Sequence, residues 1–178
     1  MKNSYLFFLS IILACSSVNL KGVHKSDGFA ISNYKTFNFF EVDVSGDAIG
    51  PNHETNLKLI KEAITKQMAS KGVTPTTDNP QLLVNIGIVV SEKVQTRETS
   101  FTNPADRTAY MGQRNYTWES QEVEVGTYRE GTVTLDLVDR ATNKLVWQGS
   151  VESILPNKEQ NIPPLIEEGM QKLFTKIN

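Results

Sequence analysis

Alternation of apolar and polar residues is clearest between Glu130 and Ser153. Two alternating runs there are separated by a polar, turn-forming segment at residues 139–144. A two-residue period is what a strand with one buried face requires. The pattern therefore predicts a β-hairpin, with Leu145, Trp147 and Val151 sharing the inward face of its second strand.

The residue pattern predicts strands in three further segments upstream of the hairpin. Residues 34–42 alternate and are rich in aromatic and β-branched side chains. Residues 82–90 alternate strictly and are partly apolar on the second face too, which is typical of a central strand. Residues 121–128 either continue into the hairpin as one long strand kinked at glycine bulges or form a separate hairpin. We favour the kinked strand.

Two segments show the three- and four-residue apolar spacing of amphipathic helices. The first helix is predicted to start at Asn52, a suitable N-cap, and to end at Lys71, with Gly72 in the left-handed position. The second is predicted to start at residues 161–164. The apolar stripes are Leu57, Ile60, Ile64 and Met68 in the first helix and Ile166, Met170, Leu173 and Ile177 in the second. We interpret both stripes as fully used by the core.

These elements follow one another in the order β-α-β-β-β-α. The order predicts an α+β domain with a four-stranded mixed sheet and two amphipathic helices packed on one face. The 178 residues suit one such domain with an appendage. The pattern leaves the order of the strands in the sheet open.

The composition argues against nucleic-acid binding, disulfide bonds and metal sites. Lys and Arg number 18 against 20 Asp and Glu, so the chain has no basic footprint for nucleic acid. Cys15 is the single cysteine, and the two histidines, His24 and His53, lie in polar stretches. We therefore expect no disulfide, no metal site and no cofactor in the folded domain.

The first residues are typical of a secretory signal peptide. One lysine precedes the apolar run Tyr5 to Ala14, which as a helix spans about 15 Å and is too short to cross a membrane. The run ends in Ile12-Leu13-Ala14-Cys15, which resembles the lipobox of bacterial lipoproteins. The resemblance implies cleavage before Cys15 and attachment of lipid to its thiol.

The lipobox sets the expected domain organisation and cellular location. Residues 1–14 are a signal peptide, residues 15–28 a lipidated flexible tether, and residues 29–178 the folded domain. Ser16 after the cysteine resembles outer-membrane sorting, so we expect an anchor in the outer membrane and a domain that faces the periplasm. Two or more acyl chains make such an anchor stable.

A polar stretch from Thr96 to Ser120 reads as a loop of some 25 residues, much longer than most connections. It contains four aromatic residues, and aromatic side chains concentrate in recognition surfaces. We predict that Tyr110, Tyr116 and Trp118 form part of a partner-binding face. The alternative is that Trp118 and Phe101 fold back and cap the edge of the sheet.

The chain also resembles the family of bacterial envelope lipoproteins known as the domain of unknown function numbered 4136. The resemblance covers almost all of residues 29–178 and implies a location and a fold, but neither an activity nor catalytic residues. It is carried by Tyr34-Lys35-Thr36-Phe37, Lys71-Gly72-Val73, Asn79-Pro80-Gln81-Leu82-Leu83-Val84, Glu130-Gly131-Thr132, Asp136-Leu137-Val138-Asp139 and Leu145-Val146-Trp147-Gln148-Gly149.

Three classes of function remain to be weighed. Glu122 and Glu124 lie two apart on one strand and match the carboxylate pair of a glycosidase, but two acids on a strand are usually its solvated face. Asp136 and Asp139 suit calcium, yet Asp139 is better explained as a turn residue. We expect a binding or scaffolding module that is not an enzyme and has an envelope protein partner. A carrier of a small apolar ligand and an envelope hydrolase are the alternatives.

Overall fold

The computed structural model describes residues 18–100 and 120–177. The predicted lipid attachment site and the predicted aromatic binding residues lie outside these ranges. The described part contains six strands and two α-helices. The strands are β1 (Val18–Lys25), β2 (Thr36–Ser45), β3 (Thr74–Pro75), β4 (Leu82–Glu98), β5 (Glu122–Asp139) and β6 (Lys144–Ile154), and the helices are α1 (His53–Ser70) and α2 (Ile162–Phe174).

All six described strands belong to one mixed sheet with the order β1-β6-β5-β4-β2-β3. β4, β5, β6 and β1 form antiparallel pairs, whereas β2 pairs in parallel with both β4 and β3. The predicted hairpin is confirmed as β5 and β6, with Leu137 opposite Trp147. β4 is an interior strand, as its two partly apolar faces indicate.

Both predicted helices are confirmed. α1 buries Ile60, Ile64 and Met68, and Gly72 has a φ of 79° after its end. The N–H groups of Gly72 and Val73 donate to the carbonyls of Ala69 and Met68, which is the double hydrogen bond of a Schellman motif. These bonds satisfy carbonyls of the last helical turn, and the Met68 carbonyl also accepts the Lys71 N–H at 3.0 Å.

Trp147 lies at the centre of the core with no exposed surface, as predicted. The space for its ring comes from Gly149, where an added Cβ would lie 2.5 Å from Trp147 Cη2 and 2.8 Å from Leu173 Cδ1. Other fully buried side chains from the sheet and the helices complete the core around Trp147. They include Phe37, Ile64, Leu82, Leu135, Leu137, Met170 and Phe174.

The prediction of a four-stranded sheet is wrong, because the described residues add β1 and β3. β1 lies inside the segment interpreted as a flexible tether, residues 15–28. Only Val18 of this strand is buried, since β1 is an edge strand held to β6 by backbone hydrogen bonds. An edge strand of this kind has little apolar periodicity for a sequence pattern to reveal.

The predicted inward direction of the Leu145 side chain is wrong, because β6 contains a bulge. Pairing with β5 shifts by one residue between Leu145 and Trp147, so Val146 is the extra residue. Leu145 is consequently 37% exposed and does not share the inward face with Trp147.

β5 is one continuous strand from Glu122 to Asp139, so the kinked-strand interpretation is confirmed. Its register against β4 shifts between Gln95 and Thr96, which makes Val125, beside Gly126, the bulged residue. Residues 96–98, which the residue pattern assigned to the predicted loop, belong to β4. Backbone hydrogen bonds between the two strands hold them in register without any need for buried side chains.

Candidate functional site

An apolar cleft lies between the inner face of the sheet and the two helices. Its volume is about 110 Å³. The sheet side includes Val18, Ile88, Val90, Val133 and Val151, and the helix side includes Ile60, Ile162, Leu165, Ile166 and Met170. A wall of this composition favours the burial of an apolar group rather than acid–base chemistry.

The cleft remains open because two glycines face it. Gly169 of α2 stands where a Cβ would lie 3.7 Å from Val151 Cγ2, and Gly131 of β5 lies against Leu155. Leu165 and Ile166 are only half-buried beside this space. The stripe of α2 is therefore not fully used by the core, contrary to the interpretation drawn from its spacing. The signal that sequence reasoning missed is a glycine inside an amphipathic helix.

A second, smaller hollow of about 60 Å³ adjoins the cleft near the start of α1. Ile60, Ile88, Val90, Leu155 and Ile162 line both spaces. The two spaces therefore form one apolar region at the end of the sheet where β4 and β5 leave the other strands.

Beyond Val90 and Gly131, β4 and β5 continue as a two-stranded ribbon. We call the residues Glu92–Glu98 and Glu122–Arg129 the arm. Within the described residues these stretches form strand pairs only with each other, since β2 ends opposite Val89 and β6 ends opposite Glu130. At the base of the arm, the Arg129 carbonyl accepts a hydrogen bond from the Leu155 N–H, and the Glu92 N–H donates to Asp47 Oδ1. At about 3.4 Å per residue, the seven residues of β4 in the arm extend over 20 Å.

The arm presents both charge and apolar surface to solvent. Val94 is 52% and Val125 is 47% exposed. Glu122 accepts a hydrogen bond from the Thr96 hydroxyl across the ribbon, and both Glu122 and Glu124 are exposed. This pair of acids thus belongs to a solvated strand face, and no wall formed by the described residues encloses it as a glycosidase cleft encloses its carboxylates.

The tip of the arm is the place from which the predicted aromatic binding segment departs. The Thr99 N–H donates to the Gln121 carbonyl at 2.7 Å, so the two strands remain paired up to this point. Tyr110, Tyr116 and Trp118 lie between these ends of the chain, outside the described residues. Cys15 also lies outside the described residues, three positions before the start of β1.

A polar cluster occupies the opposite end of the sheet. The Tyr34 hydroxyl donates to Asp139 Oδ2 at 2.9 Å, and the Thr142 N–H donates to Asp139 Oδ1 at 2.9 Å. The bond from the Thr142 backbone, more than that from Tyr34, holds the pKa of Asp139 below its ordinary value. Burial, followed by the bond to Asp139, raises the pKa of Tyr34 to about 12. Asp139 therefore starts the turn of the β5–β6 hairpin, as predicted.

Residues that carry the family resemblance meet in this polar cluster. Gln81 accepts a hydrogen bond from the Lys35 N–H at 2.6 Å, and its own N–H donates to the Thr36 hydroxyl at 3.1 Å. The Arg140 N–H donates to the Gln81 carbonyl at 3.0 Å. These contacts join the start of β2 to the start of β4 and to the turn after β5. These motif residues therefore hold the ends of three strands together.

Two structural features of the described residues bear on membranes and metals. Neither α1 nor α2 combines the length and the apolar character that a membrane span requires. Among residues 18–100 and 120–177, no three His, Cys, Asp or Glu side chains converge in a way that would hold a metal ion.

Comparison with solved structures finds distant likenesses. The PelC dodecamer from Paraburkholderia phytofirmans is 9% identical, with a TM-score of 0.45 over 88% of this chain and 96% of that chain. A PDZ domain protein from Parabacteroides distasonis is 14% identical, with a TM-score of 0.45 over 90% of this chain and 35% of that chain. No curated protein matches the chain.

A comparison of the sequence with models of protein families identifies the family of this chain. Residues 23–177 match the family model described as "Domain of unknown function (DUF4136)". The match includes five of the six described strands, both helices and the residues of the polar cluster. This chain is therefore a member of the DUF4136 family, as the motifs in its sequence indicate.

Proposed function

We propose that this protein is a lipoprotein of the outer membrane that faces the periplasm and acts as a binding or scaffolding module rather than as an enzyme. The arm is the observation that carries this proposal. Two long strands leave the sheet and continue, still paired, where none of the described core residues covers them. A structure of this kind contributes contact surface rather than core packing.

The arm offers two modes of contact to an envelope protein. From Lys93 and Tyr128 outward, neither strand has a further strand neighbour among the described residues, so a partner strand can extend the ribbon. The exposed Val94 and Val125 supply apolar surface, and the predicted aromatic residues Tyr110, Tyr116 and Trp118 would extend it beyond the tip.

In-cell photo-crosslinking tests this proposal. A photoreactive amino acid at Val94 should crosslink to an envelope protein, whereas the same residue at Val89 should not. Val89 is a matched control because it is 44% exposed on the same strand but lies within the sheet. Equal crosslinking from both positions, or none from Val94, would show that the arm is not the binding surface.

The anchor is tested separately at Cys15. Labelled fatty acid should enter the wild-type protein and should be absent from Cys15→Ala, because the thiol is the point of attachment. Recovery of the unlabelled wild-type protein in the soluble periplasmic fraction would show that the proposed location is wrong.

The apolar cleft favours a second function, that of a carrier of a small apolar ligand. A cavity of about 150 Å³ lined by Leu, Ile and Phe can bind benzene, so a cleft of 110 Å³ accepts a group of several carbons. Mass spectrometry of organic extracts from gently purified protein tests this function. A carrier should yield one defined compound that is absent from a variant with a filled cleft.

A further inference from the structure

The start of β1 lies beside the apolar cleft. Val18 is 1% exposed and forms part of the cleft wall, with its Cγ1 atom 3.8 Å from the position of a Cβ added to Gly169. The Lys172 ammonium donates a hydrogen bond to the Val18 carbonyl and fixes this end of the strand to α2. The chain therefore enters the domain at the cleft rather than at a remote edge.

Very little chain separates this point from the proposed lipid. Ser16 and Ser17 alone stand between Cys15 and Val18. Three residue steps span at most about 11 Å, even when fully extended. The attachment point of any acyl chain on Cys15 therefore lies within about 11 Å of Val18, so the cleft is within reach of the chain.

We propose that the cleft binds one of the acyl chains carried by Cys15, an inference that rests on the proposed lipidation. The walls are apolar, as a hydrocarbon chain requires, and the gap left by Gly169 and Gly131 lies beside Val18. Burial of methylene groups in this space removes them from water whenever they are not in the bilayer.

Tethering explains why this ligand, rather than a free lipid, occupies the cleft. A ligand joined to its site by a short linker has an effective concentration in the millimolar range. A free apolar molecule must reach a comparable concentration in the periplasm to compete. An acyl chain bound in the cleft competes there with any transported ligand.

A second consequence concerns the orientation of the domain. The remaining acyl chains of Cys15 stay in the bilayer, so the domain end that holds Val18 lies at the membrane. Val18 pairs with Ser153, Ser153 with Gly131, and Gly131 with Val90, which is the row where the arm begins. The root of the arm is therefore held close to the lipid surface.

The test uses the full-length protein produced in cells fed a fatty acid that carries a mid-chain diazirine. After irradiation, the expected product joins the lipidated Cys15 peptide to the α2 peptide that contains Leu165, Ile166 and Met170. The peptide of residues 26–35 contains Tyr34 of the polar cluster and no residue of the cleft wall, so it serves as an internal control and should not be joined.

Gly169→Ala supplies a variant that narrows the cleft and still folds. Its methyl group meets Val151 and Val18 at ordinary contact distances, and alanine favours the helix. The crosslink to α2 should fall about fourfold, as loss of one buried methylene predicts. Gly126→Ala adds the same methyl group on the arm, where nothing lies within 4 Å, and should leave the crosslink unchanged.

Three outcomes overturn the inference, and they are distinguishable. If no label is attached to Cys15, the proposed lipidation is wrong and this inference fails with it. If labelled Cys15 is crosslinked only to lipid or other proteins, lipidation stands and the cleft does not bind the chain. An α2 adduct with the mass of a phospholipid shows a free lipid in the cleft and contradicts the tethered source.

Discussion

The two halves of β4 and β5 share one strand pairing but differ in how much of their side-chain surface is buried. In the sheet half, Leu82, Val84 and Ile86 of β4 and Leu135 and Leu137 of β5 are completely or almost completely buried. In the arm, the same strands stay paired for seven more residues of β4, yet Val94 and Val125 are about half exposed. The strand ladder continues where the core has ended.

The difference comes from the residues on one face. Positions 82, 84, 86, 88 and 90 of β4 are all apolar, and side chains two apart share a face. Past Val90 the same face presents Glu92, Val94, Thr96 and Glu98. The backbone hydrogen bonds between β4 and β5 continue past this change, because they do not depend on the side chains. The helices cover only the apolar sheet half of the two strands. Stability should therefore depend on the sheet half, and binding on the arm.

The largest expected loss of stability comes from Trp147→Ala in the sheet half. Removal of a fully buried aromatic ring should lower the free energy of unfolding by about 3–5 kcal/mol, measured by urea denaturation. Leu145→Ala, on the same strand but partly exposed, is the control and should cost less than about 1 kcal/mol. Equal losses would mean that the bulge at Val146 does not turn Leu145 out of the core.

Gly149→Ala should have the next largest effect. The added methyl group would lie 2.5 Å from the Trp147 ring and 2.8 Å from Leu173, so both buried side chains must move. Overpacking of this kind costs about 1–3 kcal/mol in the free energy of unfolding. The double variant Gly149→Ala, Trp147→Phe should recover part of that loss by providing space. A double variant that shows the two full losses added together would argue against direct contact.

Tyr34→Phe should lower the free energy of unfolding by about 1 kcal/mol, the net value of one hydrogen bond. The effect depends on pH in two ranges. Because the pKa of folded Tyr34 is about 12, its contribution is complete below pH 10 and is lost as the pH rises towards 12.

At acid pH the dependence reverses. The pKa of folded Asp139 is lowered, chiefly by the Thr142 N–H, so its contribution is present above the unfolded pKa near 3.8 and is lost as the pH falls through the folded value. Asp139→Asn should flatten the acid part of a plot of stability against pH. An unchanged acid slope in this variant would show that other carboxylates determine it.

The smallest change in stability is expected from the arm. Val94→Ala should alter the free energy of unfolding by no more than about 0.5 kcal/mol, as exposed substitutions do. Ile86→Ala is the matched control, because Ile86 is an apolar residue on the same face of β4 but is buried, and it should cost about 2–5 kcal/mol. A large loss for Val94→Ala would mean that the arm is packed and belongs to the core.

Apolar periodicity was sufficient to predict the strands and helices that have a buried face. It predicted the α+β class, the hairpin centred on Trp147 and the interior position of β4. It failed for β1 and β3, because backbone pairing at a sheet edge leaves almost no apolar pattern. The sheet order also required pairing information that the residue pattern does not contain.

The cleft and the arm could be predicted from the sequence less well than the fold. The cleft results from side chains that are absent at Gly131 and Gly169, and such a gap becomes visible only when the helix and sheet are packed together. The arm was interpreted in part as a loop, because residues 96–98 do not repeat the apolar alternation of the rest of β4.

In-cell crosslinking of a variant in which Tyr110, Tyr116 and Trp118 are all replaced by Ser tests the central claim, that binding resides in the arm and its tip. The account predicts that the melting temperature stays nearly unchanged while the crosslinks of the wild-type protein to envelope partners disappear. Survival of those crosslinks in a folded variant would contradict the claim and place the binding face elsewhere, whereas unfolding of the triple variant would show that the aromatic residues support the fold.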